Sequence, residues 1–350
     1  MMGPSASNPA PYLGIRYQIK YHKCNLNCPY CIIHWKEQDN LFDLEKFRRI
    51  IGKIKELPFT VCLRIGVGGE IFTSPEILGV IRDICNEENN ITGISFSSNL
   101  QADWDTVIGP FVRSTNTGKL GIGCTLHDTV IKDVNPFFEK VKRLKESGVQ
   151  LYVGCVAIPQ RIRFIRQYRQ RCRELGVPLI LNAAIGTLKG VEAADPELVY
   201  PRDYTPGEIR KLKKLWHTPH SYKMLLEACS PHGMRCSAGK NYIYIDHDGN
   251  VYPCQSIKST MGNIAKEGIT FQDEDTVCPA DTCWCGNENQ ALRIVDRNYD
   301  RTRTLRIFYP REGIPEEALY EGYNPPIYRR KAFDVRKQFK RLRSALPCRK

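Results

Sequence analysis

From residue 12 to about 186 the chain alternates short apolar, β-branched runs with longer amphipathic stretches. The runs are YLGIRYQIKY (12–21), TVCLRIGVG (60–68), ITGISFSS (91–98), KLGIGCTLH (119–127), QLYVGCVAI (150–158) and PLILNAAIG (178–186). The stretches between them have helical spacing. In LFDLEKFRRIIGKIKEL (41–57), Leu44, Phe47, Ile50, Ile51 and Ile54 share one face. NPFFEKVKRLKESG (135–148) ends on Gly148, where a helix C-cap would fall. Six strands, each followed by a helix, predict a parallel sheet with helices outside it. Six units predict an α/β fold with a partial (β/α)6 barrel over 12–215, preceded by a disordered lead-in at 1–11. Such folds collect ligands at the C-terminal ends of their strands, so chemistry is expected just after each run.

Beyond DYTPGEIRKLKKLWH (203–217), another amphipathic helix, the pattern changes. CSAGKNYIYIDHDGNVYPC (236–254) reads as a β-hairpin, with alternating YIYI, a turn at Asp248-Gly249 and a return strand. The segment after Cys254 is irregular and cysteine-rich to about 290. A small cysteine-rich β-hairpin domain is therefore expected over 216–295, and a C-terminal extension over 296–350.

Composition narrows the class. At 350 residues, 42% hydrophobic and 25% charged, the chain reads as a soluble globular protein, and no run of about 18 apolar residues predicts a membrane span. The first residues lack a basic segment followed by an apolar core, so a cytoplasmic location is expected. In that reducing setting, clustered cysteines hold metal or do redox chemistry more often than they form disulfides. Of the fifteen, Cys62, Cys85, Cys124, Cys155 and Cys172 sit singly in apolar surroundings and read as core residues; the rest gather near the start, in 229–285 and at Cys348. The net charge of +13 is also uneven, because 327–350 holds ten Lys or Arg against one Asp. Ala332, Val335, Phe339, Leu342 and Leu346 give this basic tail the spacing of an amphipathic helix. It reads either as a solvated helix or as a surface for an anionic partner, such as RNA, an anionic membrane or a nucleotide-linked sugar.

The densest chemistry is YHKCNLNCPYCIIHW (21–35), with Cys24, Cys28 and Cys31 just after the first strand. Three thiolates can hold three irons of a four-iron cluster, leaving the fourth iron open to a small molecule. A zinc site completed by His22 or His34 is the alternative. The arrangement resembles the radical S-adenosylmethionine (SAM) enzymes, whose loop is CxxxCx(aromatic)C, with Tyr30 in the aromatic place. The resemblance spans the (β/α) region. It implies a 4Fe-4S cluster on the three cysteines whose open iron chelates SAM. One electron, from a donor such as flavodoxin or ferredoxin, then yields a 5′-deoxyadenosyl radical that takes a hydrogen from the substrate.

The same resemblance assigns SAM contacts at other strand ends. GVGGE (66–70) matches the glycine-rich stretch that meets the SAM amino group, through Gly68, Gly69 and Glu70. Ser98 and Asn99, ending SFSSN, match the pair near the SAM carboxylate and ribose, and Thr125 in CTLHD stands where relatives contact the ribose. His127 and Asp128 are candidate acid–base groups by position, or equally structural hydrogen-bonding groups.

Cys236 and Cys254, flanking the hairpin, resemble the auxiliary-cluster domain called SPASM, or its shorter form Twitch. CPADTCWC (278–285) offers Cys278, Cys283 and Cys285 as further ligands, with Cys229 and Cys348 in reserve. That spacing departs from the full SPASM pattern, so one second 4Fe-4S cluster is expected, and a zinc ribbon is the alternative. In the related sulfatase-maturing enzymes an Asp acts as a base directly after the closing cysteine. Here Gln255 stands there, which argues against that activity. A second cluster implies net oxidation or bond formation on the substrate. About eleven residues precede the first strand, so a sugar or other small molecule is expected ahead of a peptide guided by a leader. A tRNA-modifying enzyme and a non-catalytic metal-containing RNA-binding protein are the rivals.

Overall fold

The computed structural model describes residues 12–31, 42–184, 200–216, 231–233, 235–266 and 268–280. The basic tail and Cys229, Cys283, Cys285, Cys348 and His34 lie outside the described residues. All six predicted strands are present: β1 (Tyr12–Gln18), β2 (Thr60–Gly66), β3 (Ile91–Ser98), β4 (Leu120–Leu126), β5 (Gln150–Val156) and β6 (Leu179–Asn182). They pair in parallel in the order of the chain. The helices between and after them are α1 (Leu44–Lys55), α2 (Pro75–Asn86), α3 (Gly109–Arg113), α4 (Asn135–Glu146), α5 (Ile165–Glu174) and α6 (Pro206–Leu215).

Local chemistry explains where these elements begin. Asp43 caps α1 by accepting from Lys46 N, Ser74 caps α2 through Ile77 N, and Thr205 with Glu208 forms a capping box on α6. The apolar face of α1 buries Phe47, Ile50, Ile51 and Ile54 as its spacing predicts, each contributing about 1.5–3 kcal/mol. Those residues meet one face of the sheet, which carries Leu13, Ile15, Val61, Leu63, Ile94, Phe96, Ile122, Leu151 and Val153. Alternate residues point the other way, toward the barrel interior, and are mostly polar or glycine: Gly14, Arg16 and Gln18 on β1, Arg64 and Gly66 on β2, Ser95 and Ser97 on β3, Gly121, Gly123 and Thr125 on β4, and Tyr152 and Gly154 on β5. Such an interior is unlike the layers of branched aliphatic side chains that fill a closed eight-stranded barrel.

The predicted hairpin forms β8 (Tyr242–Ile245) and β9 (Asn250–Tyr252), after the short β7 (Arg235–Cys236). Gly249 adopts φ +84°, and the Asp246 carboxylate accepts from Asp248 N and Asn250 N, which closes the turn. The hairpin is joined to the barrel: β8 pairs in parallel with β1, opposite β2. With β10 (Gly262–Asn263) and β11 (Gly268–Ile269), the sheet among the described residues runs β11-β10-β9-β8-β1-β2-β3-β4-β5-β6. Strand β12 (Thr276–Val277) returns to pair with β7.

Candidate active site at the strand ends

Beyond the last paired residues of β1 and β2 the two chains stay in contact. Ile19 N donates to Gly66 O (2.9 Å), Gly68 N to Tyr21 O (3.0 Å) and Glu70 N to Lys23 O (2.7 Å). The GVGGE stretch is thus laid against the segment that leads into Cys24. A Cβ on Gly69 would stand 2.0 Å from Lys23 O, so glycine is required there by the close approach of the chain to itself.

Glu70 is 2% exposed. Its Oε1 accepts from Phe72 N (3.1 Å) and Ser98 Oγ (2.7 Å), and its Oε2 from Asn99 N (2.6 Å). Burial pushes this carboxyl up, against the opposing pull of the three donors. The sequence offered Glu70 to a SAM ammonium; in this structure its donors come from the chain, and it braces the ends of β2 and β3. Ser98 is buried in the same brace and also accepts from Leu100 N. Asn99 reaches the cysteine loop: its Nδ2 donates to Asn25 Oδ1 (2.8 Å) and lies 3.9 Å from Cys24 Sγ.

At the end of β4, Thr125 and His127 share the face of alternating residues that looks into the barrel. His127 Nδ1 lies 3.3 Å from Cys28 Sγ and 3.0 Å from the Tyr30 hydroxyl, and the His127 and Tyr30 rings stack with centroids 6.0 Å apart. Tyr30 packs against Ile158 and Ala184, beyond the ends of β5 and β6. Burial holds its phenol far above the usual range, so it stays protonated at neutral pH. Asp128 serves another purpose. Its buried Oδ2 accepts from Arg161 Nε (2.8 Å) and Tyr168 OH (2.8 Å), tying the β4 end to α5. Of this adjacent pair, His127 makes the hydrogen-bond contacts to the cysteine loop.

Cys24, Cys28 and Cys31 are partly exposed thiols on one loop, turned by a Cys31 N to Cys28 O bond (3.1 Å). Among the described residues no three His, Cys, Asp or Glu side chains are gathered into a metal cage. The donor set that the loop itself carries is three sulfurs and no carboxylate. That set, facing solvent on one side, suits a sulfur-ligated iron cluster with an open position better than a closed zinc site.

The second cysteine group is placed by short ladders. β7 and β12 pair with Cys236 opposite Thr276, which sets Cys278 just past the end of that ladder. Cys254 closes the hairpin in a turn where Ile257 N donates to Cys254 O. Cys236, Cys254 and Cys278 are buried thiols. Spacing leaves open which of Cys229, Cys278, Cys283 and Cys285 ligate; the ladder places Cys278 two positions past Thr276, the partner of Cys236. Below the strand ends, Arg64 crosses the barrel interior to donate to Tyr152 OH (2.8 Å) and Ser97 Oγ (3.2 Å). Tyr152 reaches it over Gly123, where a Cβ would stand 2.3 Å from the phenolic oxygen. No motif flagged this trio; its one sequence signal is polar residues and glycines alternating within otherwise apolar strands.

Residues 236–271 match the SPASM family, an iron–sulfur cluster-binding domain. No curated protein matches the chain. Among solved structures the chain is similar to native anSMEcpe with bound AdoMet and Cp18Cys peptide, at 18% identity over 73% of this chain and 78% of that one, with a TM-score of 0.51. It is also similar to anSMEcpe with bound AdoMet alone (19% identity, 73% and 76% covered, TM-score 0.50). Streptococcus suis SuiB bound to S-adenosylmethionine matches at 14% identity over 74% of this chain, with a TM-score of 0.50; the match spans 64% of SuiB. The chain therefore has the partial-barrel fold of AdoMet-binding radical SAM enzymes and carries a SPASM iron–sulfur cluster-binding segment behind it.

Proposed function

We propose that this protein is a radical SAM enzyme that oxidises a polar substrate, or forms a bond on it, with the help of a second cluster. One observation carries the reading. The segment that leads into the three-cysteine loop is laid by backbone bonds along GVGGE, and two of the loop's sulfurs meet polar side chains from the ends of β3 and β4. Cys24, Cys28 and Cys31 would hold a 4Fe-4S cluster, and Cys236, Cys254 and Cys278, with Cys283 or Cys285, a second. When bound, the first cluster would supply the electron that splits SAM into methionine and a hydrogen-abstracting 5′-deoxyadenosyl radical, and the second would take up the electron that the substrate radical gives up in becoming the oxidised product.

The chain's own residues do the rest. Gly69 lets the chain come close enough to Lys23 to hold GVGGE against the segment before Cys24. Glu70 fixes the peptide of Asn99 so that its amide faces the loop. Thr125 lines the ribose side. The polar interior built by Arg64, Ser97 and Tyr152 gives a hydroxylated or charged substrate hydrogen-bonding partners below the site. This favours a sugar or comparable small molecule; a peptide is the second reading, supported by the anSMEcpe structure that holds one.

The test is anaerobic reconstitution followed by metal, sulfide and product analysis. About eight irons, and 5′-deoxyadenosine formed from SAM and dithionite, are expected. Zinc in place of iron, or intact SAM after reduction, would sink the reading and leave the RNA-binding alternative standing.

A further inference from the structure

We propose that His127 is a positioning residue for the N-terminal cluster: its Nδ1–H donates a hydrogen bond to the sulfur of Cys28 and holds the cluster's reduction potential up. The inference rests on the proposed function, in which Cys24, Cys28 and Cys31 bind a cluster.

The geometry comes from three elements. β4 ends at Leu126 and delivers His127 to the mouth of the barrel. The Tyr30 ring lies nearly parallel to the imidazole, at 15°, and is itself wedged against Ile158 and Ala184, so the histidine plane is set by packing. In that plane Nδ1 faces both Cys28 Sγ at 3.3 Å and the Tyr30 oxygen at 3.0 Å. A thiolate bound to iron has no proton and can only accept, so the proton of this contact sits on Nδ1. The Tyr30 oxygen, 3.0 Å from Nδ1, can accept from the same N–H.

The consequence is electrostatic. Reduction adds one negative charge to the cluster, and a hydrogen bond to a ligand sulfur is worth more in the reduced state. A donor removed from that sulfur makes reduction harder. Asn99, whose amide lies 3.9 Å from Cys24 Sγ, offers a longer contact of the same kind from β3. Residues 28 and 127 are 99 positions apart, so nothing in the sequence joins them.

The experiment is an EPR-monitored redox titration of the full-length, reconstituted protein. The N-terminal cluster is identified by the change in its signal on adding SAM. His127→Phe keeps a stacking ring without the donor, His127→Ala removes both, and His127→Asn places an amide N–H near Nδ1. In the Phe and Ala variants the ratio of reduced to oxidised N-terminal cluster at a fixed poise should fall about tenfold, which is ~59 mV for a one-electron couple. His127→Asn should recover most of it. A potential unchanged in His127→Phe overturns the proposal, whether or not iron content drops. If the wild type shows no SAM-responsive cluster and a Cys24/Cys28/Cys31→Ala variant loses no iron, the functional reading itself has failed, and this inference with it.

Discussion

Cys24, Cys28 and Cys31 stand half-exposed on a loop beyond β1, whereas Cys236, Cys254 and Cys278 are 4%, 7% and 5% exposed and sit in or beside short strand pairs. The first group is bordered by side chains from other strand ends and from its own loop: Asn99, His127 and Tyr30. The second is enclosed by its own ladders, β7 with β12 and β8 with β9. An open rim admits a small molecule to a metal; a closed one keeps it away and leaves only electron exchange. Although both groups consist of cysteine thiols, burial divides their chemistry. The joining of β8 to β1 also means that Cys254, just past β9, is carried on the sheet that leads into the first group, while Cys236 lies on the separate β7–β12 pair.

The largest expected effect tests that division. Cys24/Cys28/Cys31→Ala should remove about half of roughly eight irons and abolish SAM cleavage; Cys236/Cys254→Ala should remove the other half and leave uncoupled SAM cleavage intact. Loss of SAM cleavage in both would break the comparison. Next, Gly69→Ala forces a methyl group onto Lys23 O. Destabilisation of about 1–3 kcal/mol, read by urea unfolding, should accompany weaker cluster assembly at the first site only. Alkylation of the metal-free protein at mildly alkaline pH should modify Cys24, Cys28 and Cys31 first. Cys236, Cys254 and Cys278 should follow slowly. Cys62 and Cys85 should react only after unfolding, since burial pushes their thiols up to about 11 and about 12. Equal rates, read by mass spectrometry, would erase the distinction between open and closed. The smallest effect is Asp43→Ala: losing the α1 cap should cost about 1 kcal/mol and alter neither cluster.

Much of the frame is legible in the sequence. Strand β3 is legible to the residue, and β2, β4 and β5 to within two, because one face of each is continuously apolar and its ends are marked by turns. β1 reads three residues too long: from Ile19 onward the chain leaves the ladder to run along GVGGE. The hairpin turn is legible because Gly249 alone can take its φ of +84° cheaply. Glu70 reads as a ligand-facing acid, and only the fold shows how its carboxylate is satisfied by Phe72, Ser98 and Asn99. His127 and Asp128 are indistinguishable as neighbours in the sequence; packing turns one to Cys28 and the other to Arg161.

By itself the sequence determined the alternation of strands and helices, the three-cysteine loop after the first strand and the presence of a second cysteine group, since these rest on local periodicity and spacing. Only the tertiary structure decided that Cys278 stands at the end of the Cys236 ladder, that β8 extends the barrel sheet, and that Arg64 reaches Tyr152 across it. Each of those joins residues tens to hundreds of positions apart. Their pairing depends on which buried faces and hydrogen-bonding groups remain to be satisfied once the local elements have formed.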